Sequence, residues 1–213
     1  MQHTGILITS FPAVIGSDVS GIVLSTGPDC TKLKEGDYIY GCVPVGLSEF
    51  SPFQESFLVQ EDWIFKKIDN IGLEEACTVG TGVLTAALAL TDGQDVTLPA
   101  PGTEVEEKEQ WVVVMGGSGS VGRYVVQLAK LAGFRVLASC SPTKSGLAIE
   151  AGAAATFSNQ ATVEEQLKEI EKVTGGKFGR VVDASAQAVD VSVKALEKVS
   201  KLDSKYFATV DDW

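Results

Sequence analysis

An α/β chain in two parts of different character is expected here. A β-rich unit with short strands and many glycine turns comes first, and a doubly wound parallel sheet follows. Three observations carry that expectation. The stretch Trp111-Val112-Val113-Val114-Met115 is apolar at every position, as a strand buried on both faces requires. It runs into Gly116-Gly117-Ser118-Gly119-Ser120-Val121-Gly122 and then into an Ala- and Leu-bearing segment that ends near Gly133, a helix C-cap. From Arg135 onward strand-like and helix-like segments alternate regularly, which builds a parallel sheet covered by helices on both faces.

The glycine turn is the first candidate site. Gly117, Gly119 and Gly122 stand in G-x-G-x-x-G register. In such a turn Gly117 permits the tight bend, Gly119 lets the backbone approach a pyrophosphate, and Gly122 lets helix and strand pack closely. The helix start then offers unpaired N–H groups and a partial positive charge to the phosphates. Glycine-rich turns are common, but one held between a strand and a helix, with a further strand after it, is specific. Gly117, Ser118, Gly119, Ser120, Val121 and Gly122 are therefore the expected phosphate-binding residues.

Residues 1–70 read as short strands broken by turns. A glycine break and a strand fall within 13–24, and Gly27-Pro28-Asp29 is a turn. Leu33-Lys34-Glu35-Gly36-Asp37 leads into a strand at Tyr38-Ile39-Tyr40, a further strand is expected over 53–59, and Trp63-Ile64-Phe65 lies beyond it. That pattern suits a small barrel or a curled sheet. From Leu73 to Leu90 the composition suits one or two helices, with Gly80 and Gly82 marking a break. Residues 91–110, with Pro99, Pro101 and several glutamates, read as a solvated linker or long surface loop. The elements after the turn are a strand at 135–139, a helix at 143–151, a strand at 154–157, a helix at 162–173, a strand at 180–183, a helix at 188–199 and a strand at 205–210. Thr162 with Glu165 forms a capping box for the 162–173 helix, and Gly175-Gly176 ends it.

Composition narrows the classes of partner. The 213 residues carry 17 Lys and Arg against 28 Asp and Glu, a formal charge of −11, which repels nucleic acid and anionic membranes. No apolar run approaches the ~20 residues that span a bilayer, and the N-terminus lacks the basic start and apolar stretch of a signal peptide. Cys30, Cys42, Cys77 and Cys140 are irregularly spaced, unlike a zinc or disulfide framework. They read as reduced thiols of a cytoplasmic protein.

The end of the strand after the turn bears on the cofactor. An acidic residue there would bond the ribose 2′-hydroxyl of NAD. This chain has Ser139-Cys140-Ser141-Pro142-Thr143-Lys144 instead, with no carboxylate. Ser141 and Lys144 can contact a 2′-phosphate through charge-assisted bonds, so NADPH is the expected cofactor. The plainer alternative is that Lys144 is a solvated residue opening a helix.

Four motifs occur in order: Ile15-Gly16-Ser17-Asp18-Val19-Ser20-Gly21-Ile22-Val23, Lys34-Glu35-Gly36-Asp37-Tyr38-Ile39, Glu75-Ala76 to Thr85-Ala86, and the glycine turn. Together they resemble the medium-chain dehydrogenase/reductase superfamily over nearly the whole chain. The linker into Trp111 and the Ser139-Cys140-Ser141-Pro142 strand end look most like fungal trans-acting enoyl reductases. The resemblance implies a chaperonin-10-like β-barrel, a Rossmann domain and an NADPH cleft between them. On that basis residues 1–72 form a partial chaperonin-10-like catalytic domain, 73–110 connecting helices and an acidic, Pro-containing linker, and 111–213 a Rossmann NADPH-binding domain. Against the family the chain is expected to be truncated at both ends, either as a biological fragment or as an incomplete gene product.

Departures from the family matter as well. Zinc alcohol dehydrogenases carry Gly-His-Glu where this chain has Gly16-Ser17-Asp18, and their later cysteine ligand falls at Thr81. Serine and threonine are poor zinc ligands, so no metal is expected. The single histidine, His3, is near a terminus and reads as solvated. The zinc-free branch transfers hydride to an activated C=C bond of an enoyl thioester, an enone or a quinone. The resemblance implies a small-molecule or carrier-bound acyl substrate and a polyketide synthase as partner, and leaves the oligomeric state open. Thr81 and Thr85 are candidate substrate-pocket residues, although helix packing explains them as well. Tyr38 and Tyr40 read as strand residues, and no catalytic acid can be named. The other class of function is an NADPH-binding protein, or truncated product, without turnover.

Overall fold

The computed structural model describes Ile8 and residues 11–210. His3 lies outside the described residues. Contacts divide the chain into two units, Met1–Leu84 and Thr85–Trp213.

The first unit holds a three-stranded antiparallel sheet, β1 (Asp18–Ile22), β2 (Tyr38–Cys42) and β3 (Ile64–Lys66), in the order β1-β2-β3. Val19 pairs with Gly41 and Ser20 with Tyr40, while Tyr40 faces Phe65 on the other side. Side chains alternate across such a sheet. Val19, Ile39 and Ile64 therefore share the inner face and form a small core with Val43. Helix α1 (Leu73–Ala76) follows, and Ser20 donates its hydroxyl to the Leu73 carbonyl at 2.7 Å. Helix α2 (Thr81–Thr91) begins after Gly80, so the break falls there and Gly82 lies inside the helix.

Two expectations fail in physical terms. Residues 53–59 form no strand. Their backbone makes isolated links, Phe53 N–H to Ile15 O and Leu58 N–H to Glu49 O, and Phe53 and Leu58 are exposed. A segment whose apolar residues have no partner edge has no ladder to join. Residues 91–110 are not solvated throughout either. Gln94 is fully buried, with its Nε2 donating to the Val181 carbonyl, and Val96 belongs to the core of the second unit.

The second unit is a five-stranded parallel sheet. Its strands are β4 (Trp111–Met115), β5 (Arg135–Cys140), β6 (Ala155–Ser158), β7 (Phe178–Asp183) and β8 (Tyr206–Thr209), in the order β6-β5-β4-β7-β8. Between them lie α3 (Ser120–Leu131), α4 (Ser145–Glu150), α5 (Val163–Thr174) and α6 (Val189–Lys198). Every residue of β4 is buried, and its pleat feeds two cores. Val112 and Val114 pack with Val125, Val126 and Ala129 of α3, whereas Trp111, Val113 and Met115 pack with Ile170 of α5 and Ala195 of α6. Fully burying each such valine stabilises the fold by about 1.5–3 kcal/mol. Thr162 and Glu165 form the capping box of α5, and Gly175 ends that helix in the left-handed conformation at φ 61°. Among the described residues no helix is long and apolar enough to cross a membrane. The cysteines are all free thiols.

Candidate nucleotide-binding site

The end of β4 delivers the chain into the glycine turn, and the turn distributes its roles differently from the sequence expectation. The left-handed bend is made by Gly116, at φ 75°, not by Gly117. A side chain at 117 would instead collide with the Ala138 methyl of β5, 2.6 Å away. Gly122 has the role expected of it. A Cβ there would overlap the Gly116 carbonyl oxygen and come within 2.9 Å of Gly117 Cα, so α3 can lie this close to the turn only with glycine at 122. Two bonds from β5 fasten the bend: Gly116 N–H donates to Ser139 Oγ at 3.0 Å and Gly117 N–H to Ser139 O at 2.8 Å.

Gly119 is the N-cap of α3, extended at φ −76° and ψ 176°, and it supplies no side-chain acceptor to the helix. The Gly119 carbonyl takes the Arg123 N–H at 3.0 Å. Among the described residues, the amides of Ser118, Ser120, Val121 and Gly122 are paired with no carbonyl. Helices usually satisfy these first donors with a Ser, Thr or Asp cap. Here the donors stay open beside an exposed Gly119, where a Cβ would meet nothing closer than 3.4 Å. Backbone amides at a helix start, with no side chain folded over them, suit an anion.

Ser141 and Lys144 lie just past β5. Ser141 caps a 3-10 turn, Pro142–Lys144, and accepts the Lys144 N–H at its carbonyl at 2.9 Å; Lys144 is exposed. No carboxylate occupies 140–144. Sequence reasoning assigned no role to the loop after β7. Its small residues, Ala184, Ser185, Ala186 and Ala188, are the one signal that it approaches something closely. Ser185 Cβ stands 3.0 Å from where a Cβ on Gly116 would be.

In the first unit, Ser17, Asp18, Cys42 and Thr81 converge. The Ser17 and Thr81 hydroxyls are 3.0 Å apart, Ser17 Oγ donates to the Val43 carbonyl at 2.9 Å, and the Thr81 amide donates to Asp18 Oδ1. Burial pushes the Cys42 thiol up, the Asp18 carboxylate pushes it further, and a hydrogen bond with Thr81 opposes both. The thiol is thus held protonated. Among the described residues, no group of three or more His, Cys, Asp or Glu converges as a metal-ligand set. Thr85 is half-buried on α2, beside the buried Ala86.

An antiparallel unit followed by a doubly wound sheet with a glycine turn at its first strand defines a nucleotide-binding architecture, and known proteins share it. Residues 1–70 match the alcohol dehydrogenase GroES-like domain. The trans-enoyl reductase traG of Penicillium crustosum is 34% identical over 184 residues, covering 83% of this chain and 50% of the relative. The trans-enoyl reductase TOXD of Cochliobolus carbonum is 31% identical over 206 residues, covering 93% of this chain and 66% of the relative. An alcohol dehydrogenase superfamily protein from Novosphingobium aromaticivorans superposes with a TM-score of 0.76 at 22% identity, over 97% of this chain and 58% of that one, a likeness of fold. The chain belongs to the medium-chain dehydrogenase/reductase superfamily. It spans about half the length of the curated relatives it matches.

Proposed function

We propose that this chain binds NADPH and serves a zinc-independent reduction in which hydride goes to the β-carbon of an enoyl thioester. The observation that carries the reading is the open start of α3, where four amides without carbonyl partners surround a glycine N-cap. The cradle fits a dinucleotide pyrophosphate, since glycine at 117 and 122 lets the turn pack this tightly and a Cβ at the exposed 119 would meet nothing closer than 3.4 Å. In this reading residues 111–213 are the nucleotide-binding domain, 1–72 the catalytic one and 73–110 their connection. The amides of Ser118, Ser120, Val121 and Gly122 hold the pyrophosphate, with Gly119 giving it room and Gly117 letting the turn pack against β5. Ser141 and Lys144 take the 2′-phosphate.

The bound nicotinamide supplies the hydride. The chain's own residues orient the acceptor and stabilise the charge that develops on its carbonyl oxygen. Thr85 offers a hydroxyl for that purpose, whereas the Thr81 hydroxyl donates to Ser17, whose own proton goes to the Val43 carbonyl. Ser17 and Thr81 occupy positions that hold metal in zinc-bearing relatives, and their hydroxyls make poor ligands. The names of the relatives, trans-enoyl reductases, support an enoyl substrate. A carrier-bound acyl chain presented by a polyketide synthase is the corresponding partner.

The test is NADPH oxidation by residues 1–213 with an enoyl thioester and, separately, a quinone, with NADH as the alternative donor and each assay run with and without a chelator. Thioester-dependent oxidation that prefers NADPH and survives the chelator is expected. Equal use of NADH, faster turnover of the quinone, or loss of activity with the chelator overturns the respective part of the proposal. Tight NADPH binding without any oxidation would leave a nucleotide-binding protein in its place.

A further inference from the structure

Asp183 is fully buried at the last position of β7, opposite Met115 at the last position of β4. A buried carboxylate needs donors for its oxygens, and all of these come from the loop that follows. Oδ1 accepts the Ser185 N–H at 2.9 Å and the Ser185 hydroxyl at 2.6 Å, and Oδ2 accepts the Ala188 N–H at 2.9 Å. Ser185 Oγ in turn accepts the Gln187 N–H at 3.2 Å. Between these anchors Ala186 is held at φ 56°, a left-handed conformation that alanine seldom adopts. Strain kept in place by a surrounding network marks a loop whose shape is used.

The position of the loop indicates its use. Ala184 N–H donates to the Met115 carbonyl at 3.0 Å, and Ser185 lies against Gly116, so the loop adjoins the glycine turn. Strand order places β5 and β7 on opposite sides of β4, and the winding direction reverses between β4 and β7. Ligands of such sheets lie across that reversal, beyond the carboxyl ends of the strands. Ser141 and Lys144 stand on the β5 side. A dinucleotide with its 2′-phosphate there and its pyrophosphate on the turn must extend its other half over the end of β7.

We infer that Asp183 is a positioning residue: through these hydrogen bonds it presets residues 184–188 as the wall that receives the nicotinamide half of the cofactor. The inference rests on the NADPH reading above. The carboxylate touches no ligand itself, and its effect travels through Ser185 and the backbone of Ala186 and Gln187. The small side chains of Ala184, Ser185 and Ala186 leave the backbone approachable. Because the loop is formed before the ligand arrives, binding avoids the cost of ordering it.

Two ligands separate this role from a structural one: intact NADPH, titrated by its fluorescence, and 2′,5′-ADP, which is only the adenine half, titrated by calorimetry. Asp183→Asn and Ser185→Ala are compared with the parent. Each substitution removes or weakens a loop anchor, so NADPH affinity should fall about tenfold, while 2′,5′-ADP binding should stay within about twofold of the parent. Equal losses for both ligands would show that the bonds only support the sheet end, and the inference falls. Unchanged NADPH affinity in folded Ser185→Ala also overturns it, and that variant decides alone if Asp183→Asn does not fold. Should the parent bind neither ligand, the NADPH reading itself is wrong.

Discussion

Two glycines three residues apart should respond to the same substitution in opposite ways. Gly119 and Gly122 both belong to the turn, yet their surroundings differ. At 122 an added Cβ meets the Gly116 carbonyl oxygen and carbon and Gly117 Cα, all of them backbone, so no flexible side chain can move aside. Overpacking of that kind costs about 1–3 kcal/mol. Alanine's better helix propensity returns about 1 kcal/mol of it, since 122 is helical. The expected net loss for Gly122→Ala reaches about 2 kcal/mol, or some 4–8 °C in Tm at 2–4 °C per kcal/mol. At 119 the nearest atom to a new Cβ is the Gly116 carbonyl oxygen at 3.4 Å, and φ is −76°. Gly119→Ala should therefore fold with a loss below about 1 kcal/mol, the difference between glycine and alanine at an N-cap. Its methyl group nevertheless stands where the phosphates must approach. Thermal unfolding and NADPH fluorescence titration read the two effects separately. Gly119→Ala should keep its Tm and lose at least about tenfold in affinity, worth ~1.4 kcal/mol, whereas Gly122→Ala should lose both. A Gly119→Ala protein that binds NADPH as the parent does would refute the reasoning, as would a Gly122→Ala protein of undiminished Tm.

Lys144→Ala should weaken NADPH by about 1.5–3 kcal/mol, the range for hydrogen bonds to charged groups, and leave NADH unchanged; paired titrations check this, and equal weakening of both places Lys144 outside the site. Acid should unfold the protein through carboxylates held below their ordinary range. The Lys32 amide holds Glu61 down, with smaller help from the Cys30 thiol and the Thr31 amide; Lys66 does so for Asp37, and the Thr162 amide and hydroxyl for Glu165. A depressed folded pKa means stability that is complete above the unfolded value and lost as pH falls through the folded one. Urea midpoints should thus be level near neutrality and fall below about pH 4, and Glu61→Gln should flatten the fall; an unchanged slope in that variant contradicts the assignment.

Features governed by short-range rules could be read without coordinates. Four consecutive apolar residues at Trp111–Val114, the Thr162 and Glu165 pair, and Gly175 each specify local structure through their neighbours alone. The alternation after Arg135 then leaves few topologies, and the order β6-β5-β4-β7-β8 is one of them. What could not be read depends on partners distant in sequence. Residues 53–59 have the composition of a strand and lack an edge to pair with. Gln94 sits among prolines, glutamates and aspartates in the sequence, and is drawn into the core by Val181, 87 residues away. Gly116 and Gly117 are the same residue type side by side, so only the approach of Ala138 and Ser185 tells their tasks apart. The carboxylate that shapes the loop after β7 gave no signal, because an aspartate at a strand end has many possible uses.

The position of β4 also bears on how the chain is made. The central strand of the five-stranded sheet leads its unit in sequence, and its neighbour β7 begins at Phe178. During synthesis at about 5–20 residues per second, the gap of about 60 residues between Met115 and Phe178 holds one edge of β4 open for roughly 3–13 s. Throughout that interval an apolar strand with unpaired amides and carbonyls is available to any other extended segment. The nascent chain is therefore most vulnerable to mispairing before residue 178 emerges, and covering Trp111–Met115 at that stage is the natural task for a chaperone.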